Sequence, residues 1–146
     1  MAGRLTAWGA GEILRTFFGR TSGPPLSFYL AFIRTTPPTL YINGAELDEP
    51  VDGGYARAEI VNDVGYWTDN GQLNIIVNQQ DVEFGVATAD WGPIGFWALT
   101  NAPYSGNVYA VGDIENSSAV YAGDVPTILA GDISFSLGPF YTTEET

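Results

Sequence analysis

The sequence contains no cysteine, no histidine and no lysine, and its cations are five arginines. Without cysteine the chain forms neither disulfides nor thiol nucleophiles. Without histidine or lysine it holds no Ser–His–Asp triad, no Schiff base, no P-loop phosphate grip and no zinc site of the His or Cys kind. Charge of either sign is scarce, at 15% of residues, and it is lopsided: 17 acids against five arginines give a net charge of −12. Such a chain repels phosphate backbones and anionic bilayers, so neither a nucleic acid nor a membrane is expected as a partner. No apolar run approaches the roughly 20 residues of a membrane helix. The opening "MAGRLTAWGAGEILRTFFGR" has no continuous apolar segment or cleavage pattern, so no export signal is expected.

What is present points to β structure. There are 18 glycines and 9 prolines, and aromatics reach 14%. Many turn formers beside many Tyr, Phe and Val suit short strands joined by loops. At 146 residues one domain is expected. The shortage of charge suggests surface covered by partners, because interface centres are depleted in charge.

The chain opens with a predicted helix over residues 5–19. Leu5, Trp8, Ile13, Leu14, Phe17 and Phe18 fall near i, i+3, i+4 spacing, Gly19 is placed to cap the end, and Gly9 and Gly11 weaken the interior. After "TSGPP", the stretch "LSFYLAFI" (Leu26–Ile33) is apolar on both faces and reads as a central, doubly covered strand. "YINGAEL" reads as a small hairpin with Asn43–Gly44 at a type I′ turn. Further strands are expected at Arg57–Val61, Leu73–Val77, Val82–Val86, Ile94–Leu99, Val108–Ile114, Pro126–Leu129 and Ile133–Leu137, with a solvated tail over 139–146. This spacing predicts a mainly β chain, an antiparallel β-sandwich of jelly-roll or immunoglobulin-like type over 26–138, with one N-terminal α-helix.

Carboxylates and oxygen-ligand metals are the chemistry left. "ELDEPVD" (Glu46–Asp52) sets four carboxylates in seven residues, but Pro50 and Val51 interrupt the alternation a calcium loop uses, and a solvated acidic loop is expected. Glycoside hydrolysis needs two carboxylates facing each other, and Asp81, Glu83 and Asp90 show no pattern that pairs them. No catalytic residue, cofactor, metal or small-molecule substrate is therefore expected. "DGGYAR" (Asp52–Arg57) places two glycines before Tyr55, the mark of a sharp turn or bulge, and Arg57 is expected to pair with a carboxylate. In "ATADWGP" the residues Asp90, Trp91, Gly92 and Pro93 read as a structural corner. There Asp90 accepts backbone N–H groups of its own turn, Gly92 frees the backbone, Pro93 fixes the following strand and Trp91 packs over the joint. "GYWTDNG" offers Tyr66 and Trp67, with Asp69 and Asn70, as an exposed aromatic platform for sugar.

Three motifs in this order, "LTAWGAGEILRTFFG" with "FYLAFI", "DGGYAR", and "FGVATADWGPIGFWAL" with the paired "AGD" turns of "AGDVPTILAGDISFSL", resemble a family of small tailed-bacteriophage virion proteins labelled tail-fibre-like or minor tail proteins. The likeness runs from about Leu5 to Leu137. It departs at "TLYINGAELDEP", which is longer than the family pattern, and in the glycines of the first helix. The resemblance implies a non-enzymatic structural protein of the virion exterior, made in the host cytoplasm and packed against other virion proteins. It implies a homo-oligomer too, with a trimer favoured. Contacts are then expected from Trp8, Phe17 and Phe18 of the helix, from Tyr41 and Ile42 of the long loop, and from the C-terminal tail. A capsid decoration protein of the head surface and a host-surface carbohydrate-binding module are the alternatives.

Overall fold

The computed structural model describes residues 2–136 apart from 22, 70, 72, 73 and 115–117. The expected tail over 139–146, the strand ends at Leu73 and Leu137, and Asn70 lie outside the described residues. The strands are β1 (Ala2–Leu5), β2 (Ser27–Ile33), β3 (Ala58–Val61), β4 (Trp67–Thr68), β5 (Ile75–Asn78), β6 (Val82–Glu83), β7 (Gly92–Pro93), β8 (Phe96–Thr100), β9 (Val108–Asp113), β10 (Ala119–Val120), β11 (Thr127–Ile128) and β12 (Ser134–Ser136). The helix α1 spans Ala7–Phe17.

The molecule is mainly β and sandwich-like, as its spacing and composition predict. One large curled sheet runs in the order β3-β2-β8-β9-β1-β12-β5-β4, and two short ladders, β10-β7 and β11-β6, lie apart from it. Every pairing is antiparallel except that of β1 with β12. The main core lies between the inner face of the sheet, with Leu30, Phe32, Ile60, Trp97 and Leu99, and the ladder segments, with Phe84, Trp91, Val120 and Ile128. Fully burying a side chain of this kind stabilises by roughly 1.5–3 kcal/mol.

β2 is a central strand covered on both faces. Leu30 and Phe32 enter the main core, while Ala31 and Ile33 join Ala98 and Val111 in a second cluster roofed by Leu40, Ile42 and Leu47. The apolar run from Leu30 to Ile33 follows from this, because these residues are buried on both faces, whereas Ser27–Tyr29 are part-exposed.

Several expectations are corrected. The helix does not begin at Leu5. Leu5 closes β1, and Thr6 caps the helix, its side chain accepting the Gly9 N–H at 2.9 Å while its hydroxyl donates to the Val108 carbonyl. The helix ends at Phe17 with Phe18 as its C-cap, and Gly19 follows at φ +73°. Its apolar stripe is not one covered face, since Ile13, Leu14, Phe17 and Phe18 are exposed and the buried residue is Gly9. Gly9 is no weak point either: a Cβ there would overlap the Tyr109 carbonyl, so helix and sheet approach as closely as they do because the side chain is missing.

"YINGAEL" forms no hairpin. Gly44–Glu46 is a 3₁₀ turn in which Asn43 accepts the Ala45 N–H at 2.9 Å and Glu46 reaches back to the Asn43 N–H at 3.0 Å. This reciprocal cap satisfies backbone donors that a hairpin would have to pair elsewhere. The expected strand Val82–Val86 shortens to β6. The expected strand Ile94–Leu99 begins only at Phe96 and runs to Thr100, because the Gly95 N–H turns to the Ile33 and Arg34 carbonyls. β1, β4, β7 and β10 carry no periodic signal in the sequence.

Candidate functional site

The two glycine-rich motifs meet. Gly53 and Gly54 take φ values of +72° and +74°, a left-handed pair that bulky residues adopt at a cost. The turn they make aims the Gly53 carbonyl at the corner, where it accepts the Trp91 indole N–H at 2.8 Å and the Thr88 N–H at 2.9 Å. Trp91 is buried against Tyr55, edge to face at 5.2 Å, and lies near Phe32 and Phe84.

Tyr55 and Arg57 then tie this joint to the acidic loop. The Tyr55 hydroxyl donates to Glu49 Oε1 at 2.7 Å and accepts the Phe32 N–H at 3.1 Å. Burial, reinforced by the Glu49 carboxylate, pushes the phenol far above its ordinary range. Arg57 forks onto both oxygens of Glu49, at 2.9 and 2.8 Å. Its remaining donors hold the carbonyls of Gly44, Ala102 and Ser105 and the Thr100 hydroxyl. One guanidinium thus joins the β2–β3 and β8–β9 loops, a geometry lysine has no means to copy.

The other acids of the loop have tasks of their own. Asp48 accepts the N–H groups of Thr35 and Thr36, both at 3.1 Å. The Thr35 N–H above all, with the Thr36 N–H and Arg34, outweighs burial and lowers its pKa. Among the described residues no three acids gather in a way that could hold a metal ion.

Asp90 is exposed, and its partner is not its own turn. Its Oδ1 accepts the N–H of Ala122, the first residue of one "AGD" turn, at 2.9 Å. Asp81 does the same for Ala130, the first residue of the other, at 2.8 Å. The two "AGD" turns are therefore docked by two carboxylates from earlier in the chain. The turn at Ala122 is closed further by Asp124, which accepts the Tyr121 N–H. Gly92 has φ +85°, and Pro93 pairs with Ala119 in the β7–β10 ladder.

The residues expected at partner contacts divide. Trp8 is half-buried, edge to face with Tyr109 at 4.9 Å and beneath the Arg15 guanidinium. Ile42 packs into the second cluster, whereas Tyr41 stands exposed. Phe17 and Phe18 are 81% and 70% exposed, edge to face at 5.1 Å. Tyr66 and Trp67 pack partly against the main core, and the Trp67 ring meets Phe28 and Phe135. Sequence reasoning missed Thr6, Glu49 and Asp81. Glu49 had a signal in the run of acid just before an isolated arginine, while Asp81 and Thr6 act on backbone far along the chain and had none.

The molecule is thus a small β-rich, sandwich-like domain whose turns are clasped by its own carboxylates and whose surface keeps exposed aromatics. A sequence model of the family described as "Podophage GP4 fiber I protein gp80" matches residues 4–136, and the chain belongs to this phage tail fibre family. A search of the curated proteins found no match.

Proposed function

We propose that this chain is a single-domain building block of the tail fibre apparatus, non-enzymatic, acting by packing against copies of itself and against other virion proteins, with a trimer favoured. The observation that carries the reading is the fibre-family match across 4–136, which takes in both the "GGYAR" turn and the "ATADWG" corner. The internal use of the polar groups supports it: Glu49, Arg57, Asp81 and Asp90 are each engaged in joining loops. Phe17, Phe18 and Tyr41 remain as exposed aromatics of the type that anchors protein contacts.

Copy counting by mass spectrometry of intact particles, with the chain located by electron microscopy, tests the reading. A low copy number at the tail is expected. Hundreds of copies on the head surface would replace it with capsid decoration. The carbohydrate reading has less support, because Trp67 is engaged by Phe28 and Phe135 rather than offered as a flat stacking face.

A further inference from the structure

A groove of about 280 Å³ opens between α1 and the end of the sheet where β2 begins. Ile13 and Phe17 line it from α1, Pro25 and Phe28 from the approach and start of β2, and Leu5 and Phe135 from β1 and β12. Nearly all of its surface is apolar. The polar residues along α1 turn to partners of their own: the Thr16 and Thr21 hydroxyls share a hydrogen bond at 3.0 Å, and Glu12 pairs with Arg15 at 3.5 Å. Ile13 and Phe17 are exposed, so the described residues leave this apolar wall in water.

The register of the sheet delivers the chain to this groove. β12 runs parallel to β1, with Ser136 level with Arg4. The next position along β12 is therefore level with Leu5, and Phe135 already lines the groove. The segment that follows is Leu137–Tyr141, "LGPFY", apolar and aromatic side chains about a Gly-Pro break, and beyond it come Glu144 and Glu145. Its reach suffices. Phe140 extends up to roughly 13 Å from Ser136, at about 3.3 Å per residue. Ile13 and Phe17 lie roughly 9 and 15 Å along α1 from its first residue. Charge follows the same line, because Arg20, just beyond Phe17, is exposed and makes no ion pair among the described residues.

We infer that Leu137–Tyr141 folds back along α1 of its own chain and seats Phe140 and Tyr141 in this groove, with Glu144 and Glu145 brought toward Arg20. Alternate positions of a strand share a face, so a β12 continued by one residue sets Leu137 beside Phe135 at the groove's entry. The segment acts as a strap that takes the groove side of Phe17 out of water. Phe18 and Tyr41 do not line the groove and stay open to partners. The inference goes beyond the packing of copies in a fibre and does not depend on it.

Because the chain has no native cysteine, two introduced thiols report on one separation. In the full chain carrying Thr16→Cys and Thr142→Cys, a short bismaleimide is expected to join the two thiols within one chain. It should do so several-fold faster than in the same chain with Phe140→Ser/Tyr141→Ser added. Links between chains, or a rate that the two serines leave unchanged, overturn the inference. Nile red, a neutral dye that the acidic charge does not repel, gives a second reading without cysteines. The Phe140→Ser/Tyr141→Ser chain, with wild-type circular dichroism, is expected to brighten the dye several-fold more than the wild type does, and adding Ile13→Asp should cancel the gain. Equal fluorescence from the wild type and the serine variant overturns the inference, and so does a gain that Ile13→Asp leaves intact.

Discussion

Arg57 carries its charge at 2% side-chain exposure, facing a Glu49 carboxylate that is itself 18% exposed. Removing the guanidinium leaves that carboxylate without its counter-charge, held by the Tyr55 hydroxyl, and takes a donor from the carbonyls of Gly44, Ala102 and Ser105. Arg57→Ala is therefore expected to lower the unfolding free energy by about 3 kcal/mol, read from urea denaturation. Arg57→Lys should recover only part of this, since a point charge cannot hold both carboxylate oxygens and three loop carbonyls. Equal stability of the lysine variant and the wild type would show that the fork is not what joins the loops. Tyr55 adds a pH signature. In the folded chain burial, then Glu49, keeps the phenol protonated well above its ordinary value of 10.0. The unfolded chain releases that proton above about pH 10 and so binds fewer protons than the native state. Stability is fully present below pH 10 and declines as pH rises from there toward the folded pKa. Tyr55→Phe should flatten this alkaline decline while lowering stability at neutral pH by about 1 kcal/mol. A variant with the wild-type slope between pH 10 and 12 would refute the assignment.

At the scale of elements, α1 is held by its closeness to β9 more than by an apolar stripe. Thr6 joins the end of β1, the start of the helix and the Val108–Tyr109 carbonyls, and Gly9 lies directly on that backbone. Propensity alone says that Gly9→Ala stabilises a helix by up to about 1 kcal/mol. Here the added methyl would push the helix off the sheet, and a net loss of about 1–3 kcal/mol is expected, with a lower Tm. Gly11→Ala is the control: its Cβ would meet only the movable end of the Arg15 side chain, so its Tm should stay level or rise. A higher Tm for Gly9→Ala would mean that the close approach carries no stability. The elements also differ in how plainly the sequence announced them. β2 was legible because eight apolar or small residues in a row have no other use than two covered faces. "NGAE" reads as a hairpin because Asn-Gly is a strong turn signal, yet the Glu three residues after the Asn is a capping-box signal in plain view. Asp90 was legible as a hydrogen-bonding corner, but its partner, Ala122, lies 32 residues away and no local pattern points to it.

At the scale of the whole molecule, the least legible element holds the sheet together. β1 is four residues, "AGRL", without alternation worth reading, and its strand character comes from its neighbours. It pairs antiparallel with β9 through Gly3, Arg4 and Leu5, and parallel with β12 through Ala2, Gly3 and Arg4. Among the described residues no other strand links β9 to β12 in the sheet order. Gly3 also lies under the Trp97 indole with Gly112 beside it, leaving room for the ring against the sheet. A chain lacking residues 1–5 would thus part the sheet into β3-β2-β8-β9 and β12-β5-β4, each with a newly bare edge, and would uncover Trp97. Bare edges invite pairing between molecules. The truncated chain is expected to lose its single cooperative unfolding transition and to scatter light at concentrations where the full chain stays clear. Replacing residues 2–5 with four valines separates strand from sequence: the backbone ladder could persist, but a side chain at position 3 would strike Trp97. That variant should unfold cooperatively at a lower Tm, whereas the truncation should not unfold cooperatively at all. A truncated chain with wild-type cooperativity would show instead that the two half-sheets are held by the core between the layers, and that β1 only fills a gap.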